Sequence, residues 1–327
     1  MKKIVALAMA LCMALCCVSA MAEAKTYTIG VNQLVQHEAL DAATQGFIDA
    51  LTEKLGDQVT FDVQNASGDT ATCATIANGF VSNGVDLIMA NATPALQASI
   101  AATADIPILG TSVTAYDVAL DIADWKGYTE MNVSGTSDLP PLDQQAAMVK
   151  ELFPDAKTVA LLYCSAEANS EYQVKVMETE LAALGMTTER FAFADSNDIA
   201  SVTEQATACD VIYIPTDNTA ASCTETIANV LVPAKKPVIV GEEGICRGCG
   251  VATLTISYYD IGYKTGEMAY DILVNGADVS TMEIAFAPQF VKKYNPVMAE
   301  DLGVTIPEGY EALVIELFHF PASARQP

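Results

Sequence analysis

CDVIYIPTDN, residues 209–218, and VDLIMANATP, residues 85–94, are two versions of one design about 125 residues apart. Each carries an Asp ahead of an apolar run containing β-branched residues, then breaks abruptly into small polar residues before a helical pattern begins. A fully buried parallel strand that delivers polar groups at its carboxyl end reads this way. After one helix, each is followed by a second apolar run introduced by Pro: DIPILGTS at 105–112 and KKPVIVGEE at 235–243. The chain makes the same ligand-facing edge twice.

Outward from these stretches, strand and helix patterns alternate with little interruption. The spacing predicts strands over 26–32, 59–65, 85–90 and 106–110, with helices over 39–55, 70–83 and from Pro94. Residues 125–138, with Gly127, Gly135 and Ser/Thr-rich turns ahead of Pro140-Pro141, read as a crossover. The series then restarts with helices over 142–152, 170–184, 199–207 and 219–231 and strands over 158–164, 187–194, 210–215, 237–240 and 251–255. At an offset of about 125–131 residues Thr28-Ile29-Gly30-Val31 answers Val159-Ala160-Leu161-Leu162, Asp86 answers Asp210, and Pro107 answers Pro237. Short right-handed crossovers turn such a series into doubly wound parallel sheets covered on both faces, so the fold class is α/β. A helix over 258–275, a strand over 283–287 and a short helix and turn within 296–310 follow. The tail from 315, ELFHF then PASARQP, fits no strand-helix unit.

At 327 residues the chain exceeds what one core serves, and half of it is apolar, enough for two. Residues 1–24 read as a secretory signal peptide. Lys2 and Lys3 precede an apolar run over 4–17 that is too short to span a bilayer, and small residues at 20–24 suit cleavage. Cys16 and Cys17 raise a lipid anchor as the alternative, which Met13-Ala14-Leu15 disfavours because no small residue stands just ahead of Cys16. The mature chain is expected to be soluble and extracytoplasmic, periplasmic or at the cell surface. Loss of residues 1–24, with Lys2, Lys3 and Glu23, takes the formal charge from −25 to −26, a surface that repels nucleic acid and anionic lipid. Six cysteines, Cys73, Cys164, Cys209, Cys223, Cys246 and Cys249, remain, too few for a disulfide scaffold.

In open parallel sheets, ligands sit beyond the carboxyl ends of the strands, where loops meet helix amino termini. The strand ends offer Asn32 and Gln33, with His37-Glu38 in the loop that follows, then Asn91-Ala92-Thr93, and Thr111 and Ser112. In the second half they offer Glu167, Asn169 and Ser170, then Asp217 and Asn218, then Glu242. Read singly, Thr93, Ser170 or Asp217 is an ordinary helix cap. Two such edges facing each other would instead put hydroxyls, an amide and a carboxylate into one cleft. Helix amino termini with Thr93, Thr111 and Ser170 suit a carboxylate, and Asp217 suits an ammonium, which together describe an amino acid zwitterion. Tyr116, Trp125, Tyr163 and Tyr258 stand near strand ends or crossovers, as pocket walls or as ordinary packing.

Catalytic patterns are absent. His37 and His319 are the only histidines, and there is no GxSxG, GxGxxG or GxxxxGK[ST] pattern and no paired zinc ligands, so no enzyme, cofactor or metal is expected. The rival signal is CRGC at 246–249, read as lying in a Gly-rich hairpin-like turn. It is expected to be a local Cys246–Cys249 disulfide or two unpaired thiols, with a thiol oxidoreductase as the alternative of another class.

IGVNQLVQHEALDAATQGF, NASGD, ANATPALQ, TSVTAYD, GTSDLPP, YCSAEANSEYQ, YIPTDN and YYDIGYKTGEMAYDIL, in this order, resemble ABC-transporter substrate-binding proteins of the tryptophan/tyrosine-uptake type, from residue 26 to about 310. The resemblance implies a type I periplasmic-binding-protein fold, two lobes joined by a three-strand hinge. Residues 25–135 with 257–284 would form one lobe and 136–256 with 285–312 the other, leaving 313–327 as a tail. It places Thr93, Ser170, Asp217 and Asn218 near the solute's α-amino and α-carboxyl groups. The chain departs from it at Val113-Thr114-Ala115-Tyr116-Asp117, where relatives often carry Val-Thr-Asp-Pro, which leaves the side-chain pocket open. The expected function is capture of a small solute, an amino acid, with an aromatic one as the finer option, for a membrane permease, by a monomer. A sugar, nucleoside or other neutral solute is the alternative.

Overall fold

The computed structural model describes residues 25–315. The expected signal peptide and residues 316–327 of the tail lie outside them. The first half runs β1 (Tyr27–Gln33), α1 (Glu38–Leu55), β2 (Val59–Asn65), α2 (Thr70–Asn83), β3 (Leu87–Asn91), α3 (Thr93–Ala102), β4 (Ile108–Val113), α4 (Tyr116–Ala119) and β5 (Val133–Ser137). The second runs α5 (Leu142–Leu152), β6 (Thr158–Cys164), α6 (Ala168–Ala183), β7 (Thr187–Phe193), α7 (Ile199–Ala206), β8 (Val211–Ile214), α8 (Asn218–Ser222), α9 (Thr224–Leu231), β9 (Val238–Val240), α10 (Glu243–Gly248) and β10 (Ala252–Thr255). It ends with α11 (Tyr258–Leu273), β11 (Ala285–Phe286), β12 (Val291–Tyr294), α12 (Pro296–Leu302) and β13 (Glu311–Ala312).

These strands form two sheets, ordered β11-β5-β4-β3-β1-β2 and β13-β12-β10-β9-β8-β6-β7. Every pairing is parallel except β10 with β12. Each sheet therefore holds the same doubly wound core, 2-1-3-4-5 in the order of its own strands. The duplication extends to single hydrogen bonds. Asp86 Oδ2 accepts from Thr28 N at 2.8 Å, and Asp210 Oδ2 accepts from Thr158 N at 2.9 Å. Ile88 N donates to Pro107 O and Ile212 N to Pro237 O, each at 3.0 Å. The paired Asp residues thus clamp the start of each lobe's first strand, which is why they precede the two decisive stretches.

Apolar clusters cover both faces of each sheet, with Phe80, Leu96 and Tyr116 against Phe47, Leu51 and Met268 in the first lobe. In the second lobe, Ile199, Ile227 and Ile245 lie opposite Leu161, Val174 and Met177. The chain passes between sheets after β5, after β10 and after β11, so three segments join the lobes.

Several expectations need correction. The presumed crossover 125–138 contains β5, a sheet strand whose VSGTS sequence lacks a strong apolar signature. Its Gly135 has φ 144°, and a Cβ there would lie 2.0 Å from Gly110 O. Sheet membership consequently runs to Ser137 and, on the return, to Phe286. The single helix expected over 219–231 breaks at Cys223, whose φ of −123° and ψ of 22° leave the helical region. CRGC occupies the end of helix α10 rather than a hairpin-like turn, because Glu242 accepts from Gly244 N at 2.7 Å and from Ile245 N and so starts a helix. Both its cysteines are free and buried, so the Cys246–Cys249 disulfide is not formed. Cys249 Sγ instead donates to Ile245 O at 3.4 Å.

Candidate functional site

The carboxyl ends of both sheets face one another across the lobe boundary. In the second lobe the junctions β6–α6 and β8–α8 are tied together by two acids. Asp217 Oδ2 accepts from Cys164 N at 2.7 Å and Ser170 Oγ at 2.8 Å, and its Oδ1 accepts from Ala220 N at 2.8 Å, the cap of α8. Glu167 Oε1 accepts from Thr219 N and Oγ1 at 2.9 and 2.8 Å. Its Oε2 accepts from Asn218 N at 3.0 Å, Asn218 Nδ2 at 2.7 Å and Asn169 Nδ2 at 3.2 Å. Both carboxyls are buried. Burial pushes Asp217 up to about 7, with the charge of Glu167 adding to it and the donors opposing it. Two buried acids with no basic residue bonded to either among the described residues make a place that favours a cation.

The first lobe answers with hydroxyls. Helix α3 starts at Thr93 without a side-chain cap, on Ala92, a non-glycine residue with φ 90°. Ser112, at the end of β4, has φ 54°. Such conformations cost about 1–3 kcal/mol and persist where the surroundings hold them, which marks both strand ends as candidates for function. Among the described residues Thr93 Oγ1 and Ser112 Oγ are buried with no hydrogen-bond partner, and across the boundary so is Asn169 Oδ1. Each unmet buried group costs about 1–3 kcal/mol.

Direct contacts bring the two edges together. Gln173 Nε2 donates to Asn169 O at 3.2 Å and Thr216 Oγ1 at 2.6 Å, and reaches Thr114 Oγ1 of the first lobe at 3.5 Å. His37 Nε2 lies 3.3 Å from Asn218 Oδ1. The Asn218 amide is oriented by Glu167, so Nε2 of His37 carries the proton and donates. Burial, the largest influence, holds the His37 pKa below the usual value, against the Asn218 bond and the charges of Glu167, Asp41 and Glu38. A pocket of about 480 Å³ opens between the lobes, lined by His37 and Glu38 on one side and by Ser222, Glu242, Gly244 and Arg247 on the other. A second, of about 150 Å³, joins Leu34, Val35 and Pro94 to Cys164, Glu167 and Asn218.

The sequence-derived candidates divide on this geometry. Thr93, Ser112, Asn169, Ser170, Asp217, Asn218 and Glu167 belong to the facing edges. Asn32 Nδ2 donates inside the first lobe to Cys73 O and Ser99 Oγ, although its Oδ1 is also buried without a partner among the described residues, and Gln33 donates to Asp41 and accepts from Thr44. Thr111 Oγ1 pairs with Thr136 Oγ1 at 3.1 Å, in a hydroxyl chain that continues to Thr265 on α11. Glu242 caps α10, burial pushing its carboxyl up to about 7. The aromatic candidates pack elsewhere. Tyr116 donates to Thr136 O within the first lobe, Trp125 packs beside the same cluster, and Tyr163 lies in a second-lobe core. Tyr258 donates to Asp138 at 2.9 Å, between two of the connecting segments. Thr114, Gln173 and Thr216 were not among the candidates, with only the strand-end positions of Thr114 and Thr216 carrying a signal for them, and His37 was named only as a residue of the loop after the first strand.

Burial pushes the Cys246 and Cys249 thiols far up, opposite to what an oxidoreductase thiolate needs. Among the described residues no cluster of metal-ligating side chains occurs, and no helix is long and apolar enough to cross a membrane.

The model of the ABC transporter substrate binding protein family matches residues 28–315. The tyrosine-binding protein of Clostridioides difficile (strain R20291) is 37% identical over 253 residues, covering 76% of this chain and 73% of that protein. A Streptococcus pneumonia ABC domain in complex with L-Trp superposes with a TM-score of 0.84 at 34% identity, covering 88% of this chain and all of that one. A ligand-free, open structure of a Clostridium difficile substrate binding protein with adhesive properties has a TM-score of 0.67 at 35% identity, covering 89% of this chain and all of that one.

Proposed function

The chain belongs to the family of ABC transporter substrate binding proteins, and we propose that the solute it captures is an aromatic amino acid, held as a zwitterion between the lobes. As a family member it binds a small solute outside the cytoplasm. The observation that carries the finer reading is a set of unpartnered buried atoms at strand ends of both lobes, Thr93 Oγ1 and Ser112 Oγ in the first and Asn169 Oδ1 in the second, where the buried carboxyl of Asp217 also lies. The hydroxyls and the uncapped start of α3 suit an α-carboxylate. Asp217 and Asn169 Oδ1 suit an α-ammonium, whose charge replaces the proton that burial otherwise favours on Asp217.

Aromatic specificity is taken from the relatives, one named for tyrosine and one holding L-Trp. At nearly equal identity this chain superposes better on the L-Trp complex than on the ligand-free open structure. That difference supports a lobe arrangement nearer the occupied state, and hence capture by closure. Residues 1–24 would serve export, and a monomer in the closed state would be what the permease meets.

Calorimetry with L-tyrosine, L-tryptophan, L-leucine, N-acetyl-tyrosine, tyramine and myo-inositol tests the reading. Expected is binding of the two aromatic amino acids and loss of binding when either the ammonium or the carboxylate is removed. N-acetyl-tyrosine binding as tightly as L-tyrosine, or myo-inositol alone binding, overturns it.

A further inference from the structure

His37 and Glu38, the cap and the first residue of α1, both hold the opposite lobe. Glu38 receives Arg247 of α10 through two nitrogens, Nε to Oε2 at 2.9 Å and Nη2 to Oε1 at 3.0 Å. Arg247 is aimed from within its own lobe. Its Nη2 donates to Glu243 Oε1 at 2.7 Å, its Nη1 donates to Val314 O, and Glu243 Oε2 in turn takes Lys293 Nζ of β12 at 2.5 Å. The arginine is therefore already pointed when Glu38 arrives. In any separation of the lobes the Glu243 and Lys293 bonds can persist, because all three residues belong to one lobe; the Glu38 bonds must break.

We propose that the Glu38–Arg247 pair is a closure latch that controls the release of the solute without touching it. The proposal rests on the hinge-closure reading above. Both residues line the 480 Å³ pocket, while the unpartnered atoms of the proposed zwitterion site lie on other loops. An interaction formed only after closure slows opening and leaves capture alone, so its effect falls on the dissociation rate. The side chains are 31% and 49% exposed, which makes the latch sensitive to salt and modest in size. An ion pair at this exposure corresponds to about a 1.5- to 5-fold effect on release.

The test compares the wild type with Arg247→Met, Glu38→Gln and the double exchange Glu38→Arg with Arg247→Glu. Stopped-flow with L-tyrosine and L-tryptophan reads the rates, and paramagnetic relaxation between spin labels on the two lobes reads the closed fraction with and without these probes. Expected are faster dissociation in each single variant with an unchanged association rate, partial recovery in the exchange, a smaller closed fraction, and loss of the difference at high salt. Dissociation rates and closed fractions equal to wild type in both single variants overturn the latch. If neither amino acid binds the wild type, the aromatic reading fails, and the closed fraction of the ligand-free protein still decides the latch.

Discussion

Asp217 accepts from Cys164 N, Ser170 Oγ and Ala220 N, yet burial first and Glu167 second still raise it to about 7. Its folded pKa lies above the usual carboxylate value near 4. The stability this group contributes is therefore complete below about pH 4 and is lost as pH rises through about 7. A bound ammonium reverses that preference, so affinity for L-tyrosine should fall as pH drops below about 7, by up to about tenfold per unit. Calorimetry across pH 5–8 checks this, and a flat profile would separate Asp217 from the ammonium. Asp217→Ala removes the counter-charge, with an expected loss of about 3–5 kcal/mol, more than 100-fold in affinity. Sequence showed Asp217 and Thr93 as strand-end polar residues, but showed Asn32, Gln33 and Thr111 in the same way. What separates them is direction. The Asn32 and Gln33 amide nitrogens turn to α1, α2 and α3 contacts within the lobe, and Thr111 to the chain running to Thr265, none of which spacing along one strand reveals.

Among the elements, α1 and α11 show how a distant helix joins the first lobe. A Cβ on Gly262 would lie 2.0 Å from Ala43 O, and one on Gly46 would lie 2.1 Å from Tyr259 O. The obstructing atoms are backbone, so the helices would have to separate. Gly262→Val is expected to cost at least about 1–3 kcal/mol, with a fall in Tm of several degrees. Unchanged thermal unfolding would mean that the contact yields freely. The YYDIGYKTGEMAYDIL pattern announced a helix, but its partner lies more than 200 positions away and periodicity names no partner. For the same reason strands with strong apolar runs, β1, β3, β6 and β8, were legible. The short β11, β12 and β13 and the Gly-containing β5 depend on neighbouring strands for their pairing, and β12 and β13 went unread.

For the whole molecule, two of the three segments joining the lobes meet at Asp138, which accepts from Thr114 Oγ1 at 3.1 Å and Tyr258 Oη at 2.9 Å. Burial raises its carboxyl to about 6, against these two bonds. Asp138→Ala leaves the buried Tyr258 hydroxyl without its acceptor and should cost about 1–3 kcal/mol. It should also change the contraction of the radius of gyration when L-tyrosine is added. Thermal unfolding and small-angle scattering equal to wild type would deny Asp138 a part in the hinge.

Sequence alone determined the duplicated α/β design, because buried parallel strands, Pro-initiated runs and the Asp clamps at 86 and 210 are local signals repeated in register. It also determined which loops carry polar groups to the strand ends, and its ordered motifs already resembled the substrate-binding family. The tertiary structure decided which of those groups face the other lobe. It left Thr93, Ser112 and Asn169 with buried unpartnered atoms, turned Asn32, Gln33 and Thr111 to internal bonds, and set Glu38 against Arg247. The reason is physical: a strand or helix pattern fixes the face on which a side chain lies, but a hydrogen-bond partner in another lobe depends on how two separately formed units meet.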